Sequence, residues 1–493
     1  MNAAMGFTSA RGFRLFKSKR TWATLLATVA LGVVFNAPAN AMTLDEAVAK
    51  TLKTNPQIMQ AVENREAVEF ELRQARGLYL PSIDLQAGVG RRRLSNSSTG
   101  TLTRDYETYS PSDASLTITQ TLFDGGSRRS QVEQQASRVD GASFRVVERS
   151  ESLALQVTQD YLEYILQSKI VAIAQQNVAA HNQILGDIGA SIQGGALTDA
   201  DRLQGRERLE AARARLREAQ EELELTKIRF LKTVGEPIGP VKQPISLAKF
   251  IPKTLNDAIF IAKKNSPQIH AADADVDAAD AGVRGSRANY LPKVDLQGSA
   301  RVGNDIDGNQ GNTNDVQVGL TARWNLYRGG IDQAREQEQI RRASEQRYGL
   351  AQAHREVEES IRSAWNERSG RGELSGILAR QSSTNGSLVS SYREQFKVNQ
   401  RSLLDVLDAQ NTRFNTSILA ETARFASLFA EYKILAASGS LLQSMKLKPV
   451  GQAEAYARKE FTVPGGVTNP GYVEIDSRQK AGMPMDLLAP IRQ

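Results

Sequence analysis

"YLPSIDLQ" runs from Tyr79 to Gln86, and "YLPKVDLQ" runs from Tyr290 to Gln297, 211 positions later. Eight residues written nearly twice at long range point to an internal duplication. The offset holds upstream, where "TLDEAVAKTLKTNPQI" from Thr43 matches "TLNDAIFIAKKNSPQI" from Thr254. Downstream, "LFDGG" ends at Gly126 and "LYRGG" at Gly330, and from there the offset is 204 without a gap. Tyr161 then faces Trp365, Asp201 faces Asp405, Leu203 faces Leu407 and Gly235 faces Gly439. The single change of length lies between "DLQ" and "GG", which marks that stretch as a loop tolerant of insertion. The chain therefore reads as two homologous halves, 42–240 and 254–448, with a linker at 241–253 and a tail at 449–493.

Residues 1–41 read as a secretory signal peptide. Arg11, Arg14, Lys17, Lys19 and Arg20 make a basic start, Trp22 to Phe35 an apolar run, and Ala39-Asn40-Ala41 a small-x-small cleavage site. Without those five charges the formal +7 of the 493-residue chain falls to +2. The basic balance is thus partly a targeting feature and gives no support to nucleic-acid binding. There are no cysteines, so disulfides and a lipid-modified N-terminal cysteine are excluded. An exported, disulfide-free chain fits the periplasm or outer membrane of a Gram-negative cell. Beyond the signal peptide no apolar run approaches the roughly 20 residues of a membrane helix. Entry into a membrane would have to use β-strands.

Each half follows one order: short helix, strand, loop, strand, very long helix, turn, long helix. Four segments alternate with period two, at about 83–91, 115–123, 294–302 and 316–327. In the last, Val316, Val318, Leu320, Ala322, Trp324 and Leu326 point one way, and Gln317, Gly319, Thr321, Arg323 and Asn325 the other. In the second, Leu116, Ile118 and Leu122 alternate with Thr117, Thr119, Thr121 and Phe123. One such segment fits a half-buried soluble sheet. Four matched segments in an exported chain point to transmembrane barrel strands. The stretch "NDIDGNQGNTND" (304–315) reads as a solvated hairpin loop, since it lacks the distal Glu and flanking helices of a calcium loop.

No proline occurs between Pro111 and Pro237 or between Pro292 and Pro449. Helices over 127–191 and 331–398 would each reach roughly 100 Å. The shorter helices 46–75 and 198–232, and 257–287 and 402–446, would stack end to end to a similar length. Apolar spacing at Val157, Tyr161, Tyr164 and Ile165, and at Leu403, Val406 and Leu407, suits side-by-side coiled-coil packing. Proline ends a helix and favours extended backbone before it, and tyrosine suits a membrane-water interface. Tyr79 with Pro81, and Tyr290 with Pro292, therefore mark passage from helix to strand. Gly125-Gly126 and Gly329-Gly330 mark the return, where a sharp turn favours glycine.

These junctions, with "SLLDVLDAQNTRF" (402–414) and its diverged partner "ALTDADRLQGRERL" (196–209), resemble the TolC-like outer-membrane efflux proteins over nearly all of 43–445. The resemblance implies an α+β membrane protein: a homotrimer whose four strands per chain close a twelve-stranded barrel above a long α-helical coiled-coil tunnel. Four strands cannot close a barrel alone, so oligomerisation follows from the residues, and the number three from the resemblance. It implies an aperture ringed by Asp405 and Asp408, which stand three apart on one helix face. It implies a closed-state lock at Arg401 and Asp201, with Phe396 where the family carries a hydrogen-bonding tyrosine. It implies that the tips, at Gly194, Gly195 and Leu197 and at Val398 and Asn399, meet a periplasmic adaptor. Asn399 stands where a glycine is usual, and asparagine tolerates left-handed backbone. An inner-membrane ABC or proton-driven transporter would supply the energy, and outer-membrane lipid would surround the barrel.

The function expected is an export channel of a type I secretion or multidrug efflux system. The missing lipid-anchor cysteine favours protein secretion over drug efflux. The competing reading is a periplasmic coiled-coil adaptor or scaffold without a pore, and the four amphipathic strands and paired junctions speak against it. An enzyme has little support. His181, His270 and His354 are the only histidines and lie far apart, without metal-ligand spacing. No phosphate loop or nucleophile motif appears, so no cofactor or metal is expected.

Overall fold

The computed structural model describes residues 41–94, 107–307 and 310–461. The expected signal peptide, save Ala41, and the tail from 462 onward lie outside them, as do Gly308 and Asn309 of the second loop. In chain order the elements are α1 (Leu44–Thr54), α2 (Pro56–Gly77), β1 (Ser82–Val89), β2 (Arg92–Leu94), β3 (Glu107–Tyr109), β4 (Ser112–Phe123), α3 (Ser127–Gln193) and α4 (Asp199–Val234). There follow α5 (Leu255–Asn265), α6 (Pro267–Arg287), β5 (Lys293–Asn304), β6 (Asn312–Arg323), α7 (Ile331–Lys397), α8 (Leu403–Ala437) and α9 (Leu441–Ser444).

The four long strands form one antiparallel sheet in the order β1-β4-β5-β6. Register sorts its side chains by polarity, because directly opposed residues share a face. Leu85 opposes Leu116, Leu116 opposes Ala300, and Ala300 opposes Val316. One residue away, Gln86 opposes Ser115, Ser115 opposes Arg301, and Arg301 opposes Asp315. One face is thus apolar across all four strands and the other polar. The apolar face is bare: Leu85, Val316, Val318 and Leu320 are exposed. Each edge strand, β1 and β6, has no partner on its outer side among the described residues.

Two details of the alternation differ from the sequence reading. A register shift between Thr121 and Phe123 sets Phe123 opposite Val294. Phe123 therefore returns to the apolar face instead of continuing the threonine row, as an inserted bulge residue requires. The fourth strand stops at Arg323, not Tyr327. Arg323 pairs with Lys293, and the residue before Lys293 is Pro292, which has no N–H to continue a ladder.

The two long helices are each 67 residues, about 100 Å at 1.5 Å per residue. Three of the four shorter helices are broken where the sequence reading ran them through, and only α4 is continuous. Asn55 closes α1 and caps α2: its Oδ1 accepts from Gln57 N at 2.9 Å, and Pro56 occupies the first helical turn. Proline tolerates that position and forbids a continuous helix through it. Ser266-Pro267 repeats the break between α5 and α6. After α8 the chain turns at Gly439, where φ is +66° and a Cβ would lie 2.9 Å from Asn265 O.

These breaks meet at mid-height. The largest core gathers the ends of α1, α4, α5 and α8 around the middles of α3 and α7, with Tyr161, Phe230, Ile361, Leu435 and Leu441 buried. Each such side chain is worth about 1.5–3 kcal/mol on burial. The Tyr161 hydroxyl lies 2.7 Å from Met42 O and 2.6 Å from Lys242 O, which pins the segment before α1 and the linker to α3. The tail docks before it leaves the described residues. Asp140 of α3 accepts from the backbone N–H groups of Tyr456, Ala457 and Arg458 at 2.8–3.1 Å. The Arg458 guanidinium also reaches Asp273 and Asp277 of α6, at 3.1 and 2.6 Å.

Candidate functional site: two junctions and two tips

The junctions are built alike in both halves. Each strand-to-helix return uses two left-handed glycines, with φ of +66° and +89° at Gly125-Gly126 and +62° and +80° at Gly329-Gly330. The Gln120 side chain donates to Tyr79 O at 3.1 Å, and 204 residues later Trp324 Nε1 donates to Tyr290 O at 3.0 Å. A side chain at the end of the returning strand or just past it thus grips the carbonyl that precedes Pro81 or Pro292 by two residues. The Arg128 guanidinium lies 4.8 Å from the centre of the Tyr79 ring. Tyr79, Tyr290, Trp324 and Tyr327 are exposed at this level, as aromatic residues at a membrane interface are.

The tips also share one geometry. Ala196 N donates to Ser191 O at 2.9 Å, and Gln400 N to Gln395 O at 2.8 Å. The left-handed residue between is Gly195 at φ +77° in the first tip and Asn399 at φ +57° in the second. The asparagine has kept the turn, since αL is the one positive-φ region it adopts readily. Gly194 precedes it in ordinary right-handed backbone. Val398 is exposed, and Leu197 half-buried against the tip core.

Beyond each turn a hydroxyl and an aspartate cap the outgoing helix. The Thr198 N–H and hydroxyl donate to Asp201 at 2.8 Å each, and those bonds hold the Asp201 carboxyl below its usual range. The Ser402 hydroxyl donates to Asp405 at 2.8 Å, and Asp405 N returns a bond to Ser402 Oγ at 3.2 Å. Asp408 lies one turn further on and is exposed. Arg401 stacks 4.2 Å from the centre of the Tyr392 ring, donates to Gln395 Oε1 at 3.1 Å, and lies 3.8 Å from Asp405. Phe396 is buried with Ile184, Ile188, Leu403, Val406 and Leu407, where it serves as core. Within the chain, Arg401 and Asp405 are brought together. Asp201 faces its own cap.

Sequence reasoning missed the strongest link between the two hairpins near the tips. Arg393 of α7 pairs with Asp187 of α3 at 2.7 Å and donates to Gln183 at 3.1 Å. These residues stand 206 apart and correspond to no shared motif, so only packing reveals them. Above the link, Asn177 and Gln410 form a buried bond at 2.9 Å. His181 is buried beside them, and burial lowers its pKa. Among the described residues no cluster of His, Cys, Asp or Glu could hold a metal ion.

A bare amphipathic sheet joined at one end, through aromatic junctions, to helices about 100 Å long defines an outer-membrane channel protein with a helical periplasmic portion. Residues 47–236 and 259–440 match the outer membrane efflux protein family, and the chain belongs to it. It is 26% identical over 438 residues to outer membrane efflux protein BepC of Brucella suis biovar 1 (strain 1330), covering 85% of this chain and 91% of that one. It is 22% identical to outer membrane protein TolC of Escherichia coli (strain K12), covering 83% and 84%. It is 23% identical to alkaline protease secretion protein AprF of Pseudomonas aeruginosa, covering 77% and 80%. The fold matches CusC with a TM-score of 0.71 at 16% identity, over 80% of this chain and 92% of that one. It matches VceC of Vibrio cholerae at 0.70 and 14% identity, over 80% and 96%. The relatives are described as efflux and secretion proteins, and this chain is an outer-membrane export channel.

Proposed function

We propose that three copies of the chain close one twelve-stranded barrel and one helical tunnel, each copy built from two duplicated halves, 42–240 and 254–448. The observation that carries this reading is the sheet: over its middle registers polarity divides between the faces, the apolar face is bare, and neither edge strand has an outer partner among the described residues. Lipid suits the first face, a water-filled lumen the second, and neighbouring copies the edges. The equal lengths of α3 and α7 support the duplication. Asp405 and Asp408 ring the aperture. Arg401, Asp201 and Phe396 belong to the closed tip, Phe396 as buried core and Arg401 as the cation able to reach a neighbouring copy. The turns at Gly194-Gly195 with Leu197, and at Val398-Asn399, meet a periplasmic adaptor. An inner-membrane ABC or proton-driven transporter supplies the energy, and the channel itself performs no catalysis. The likeness to AprF, named for protease secretion, supports protein cargo. The likeness to BepC, named for efflux, supports small molecules.

The test is topology. Cysteines at Ser127 and Ile331, placed one residue beyond the glycine turns, should resist a membrane-impermeant thiol reagent on intact cells. A cysteine at Gln310 in the second loop should label. Labelling of Ser127→Cys from outside would invert the chain and sink the reading.

A further inference from the structure

The base of the sheet carries a charge pattern that neither the fold nor the duplication requires. Lys293 and Arg323 are direct cross-strand partners. They continue the polar face, because the next pair on that face is Asp295 with Thr321. Like charges directly opposed on a sheet are unfavourable. Asp295 is the nearby acid: it lies 3.3 Å from the Lys293 ammonium and accepts from the Thr121 hydroxyl at 2.7 Å. Arg323 is exposed and has no acidic partner among the described residues. One carboxylate thus stands against two cations. Further acids on that face lie higher. Asp84 opposes Thr117, four residues along β4 from the Thr121 that faces Asp295, which is about 13 Å at strand rise. Of the other charges near the base, Asp124 pairs with Arg128 at 3.0 Å and Arg328 with Asp332 at 3.6 Å.

The first half supplies a control. The positions equivalent to Lys293 and Arg323 are Ser82 and Thr119, and they oppose one another in the same way. A neutral pair therefore satisfies the register, and the opposed cations need another explanation.

We propose that Lys293 and Arg323 form a cationic collar at the periplasmic end of the barrel lumen, and that the collar binds multivalent oxyanions in the pore. The inference rests on the pore reading above. In the trimer the collar is repeated three times around one axis, each copy in excess by one positive charge. It stands at the junction of barrel and tunnel, about the length of a long helix from the carboxylates of the tip, so two levels of the conduit select opposite charges.

The test is made on the full-length trimer in planar bilayers, with inorganic tripolyphosphate added from the barrel side. Wild type should be blocked. The double substitution Lys293→Ser with Arg323→Thr, which installs the first half's pair, should need about tenfold more tripolyphosphate for the same block. Lys293→Glu, which converts the opposed cations into an ion pair, should also weaken block while the trimer assembles normally. Block by hexamminecobalt from the tip side should be unchanged in both. A channel blocked by hexamminecobalt but indifferent to tripolyphosphate would overturn the collar and leave the pore reading intact. So would equal tripolyphosphate block in wild type and both variants. Absence of any channel would overturn both.

Discussion

The two halves of the chain share their backbone and differ in their chemistry. Where the backbone is under constraint they agree. Both returns from strand to helix use paired left-handed glycines, both tips close with the same hydrogen bond, and both outgoing helices start with a hydroxyl residue capped by an aspartate three positions on. Where only charge matters they part. At the junction the first half places Asp124 before Arg128, and the second reverses the pair to Arg328 before Asp332. At the tip the first half follows Asp201 with Gln204, and the second follows Asp405 with Asp408. Geometry is thus held in common, and the charges proposed to act on the pore lie mainly in the second half.

The largest effect should come from breaking that asymmetry at the tip. In the proposed trimer, carboxylates of three chains around one axis would attract cations, and a trivalent cation could bridge several of them. Asp405→Asn with Asp408→Asn removes the charge at little change in volume. Block by hexamminecobalt from the tip side should weaken by about a hundredfold, the scale of losing several close charge pairs at roughly 1 kcal/mol each. Asp201→Asn should leave block within a few-fold of wild type. Equal losses from the two halves would show that the aperture is not specific to the second. Block surviving the double substitution would remove Asp405 and Asp408 from the aperture.

A smaller effect should separate the junctions, whose backbones agree but whose surroundings do not. A Cβ at Gly125 would lie 2.9 Å from both Ala288 O and Leu291 Cβ, whereas one at Gly329 would meet nothing within 4 Å. Gly329→Ala should therefore cost about 1–2 kcal/mol, the strain of a left-handed alanine. Gly125→Ala should add a steric cost of about 1–3 kcal/mol. The yield of folded protein in outer membranes should fall further for Gly125→Ala, and equal yields would discard the packing argument.

Much of this was legible in the sequence because the decisive motifs occur twice. The junction motifs, the proline-free helices and the four alternating segments recur at fixed offsets, so each half tests the other. Features present once escaped. The bulge that returns Phe123 to the apolar face leaves no mark in a period-two pattern. The Arg393–Asp187 link joins two hairpins by packing alone. The docking of Tyr456, Ala457 and Arg458 on Asp140 depends on a tail with no counterpart in the first half. The breaks at Asn55-Pro56 and Ser266-Pro267 were legible, since proline stops the helix before it and is at home in the first turn of the next, and Asn55 also caps that turn. The length of the surrounding helical pattern hid them.

The last contrast lies at mid-height and should give the smallest effect, a few degrees in melting temperature. Glu151 is buried on α3 and accepts from the backbone N–H groups of Leu441 at 3.1 Å and Leu442 at 3.4 Å. Its equivalent in the second half, Arg355, is exposed, and no segment corresponding to α9 follows α4 to meet it. Burial raises the Glu151 carboxyl from 4.5 to about 7, outweighing the opposite pull of the two N–H donors. The fold therefore favours the protonated form. The stability gained from that preference is complete below about pH 4.5 and is lost as pH rises through about 7. Wild type should melt lower at pH 8 than at pH 5. Glu151→Gln keeps an acceptor for the N–H groups and cannot ionise, so its melting temperature should change less over the same interval and exceed that of wild type at pH 8. Arg355→Gln should leave the slope alone. Melting of the purified protein in detergent at the two pH values decides it. Parallel slopes for wild type and Glu151→Gln would mean that the carboxylate stays ionised in the fold throughout, and that its two N–H donors outweigh its burial.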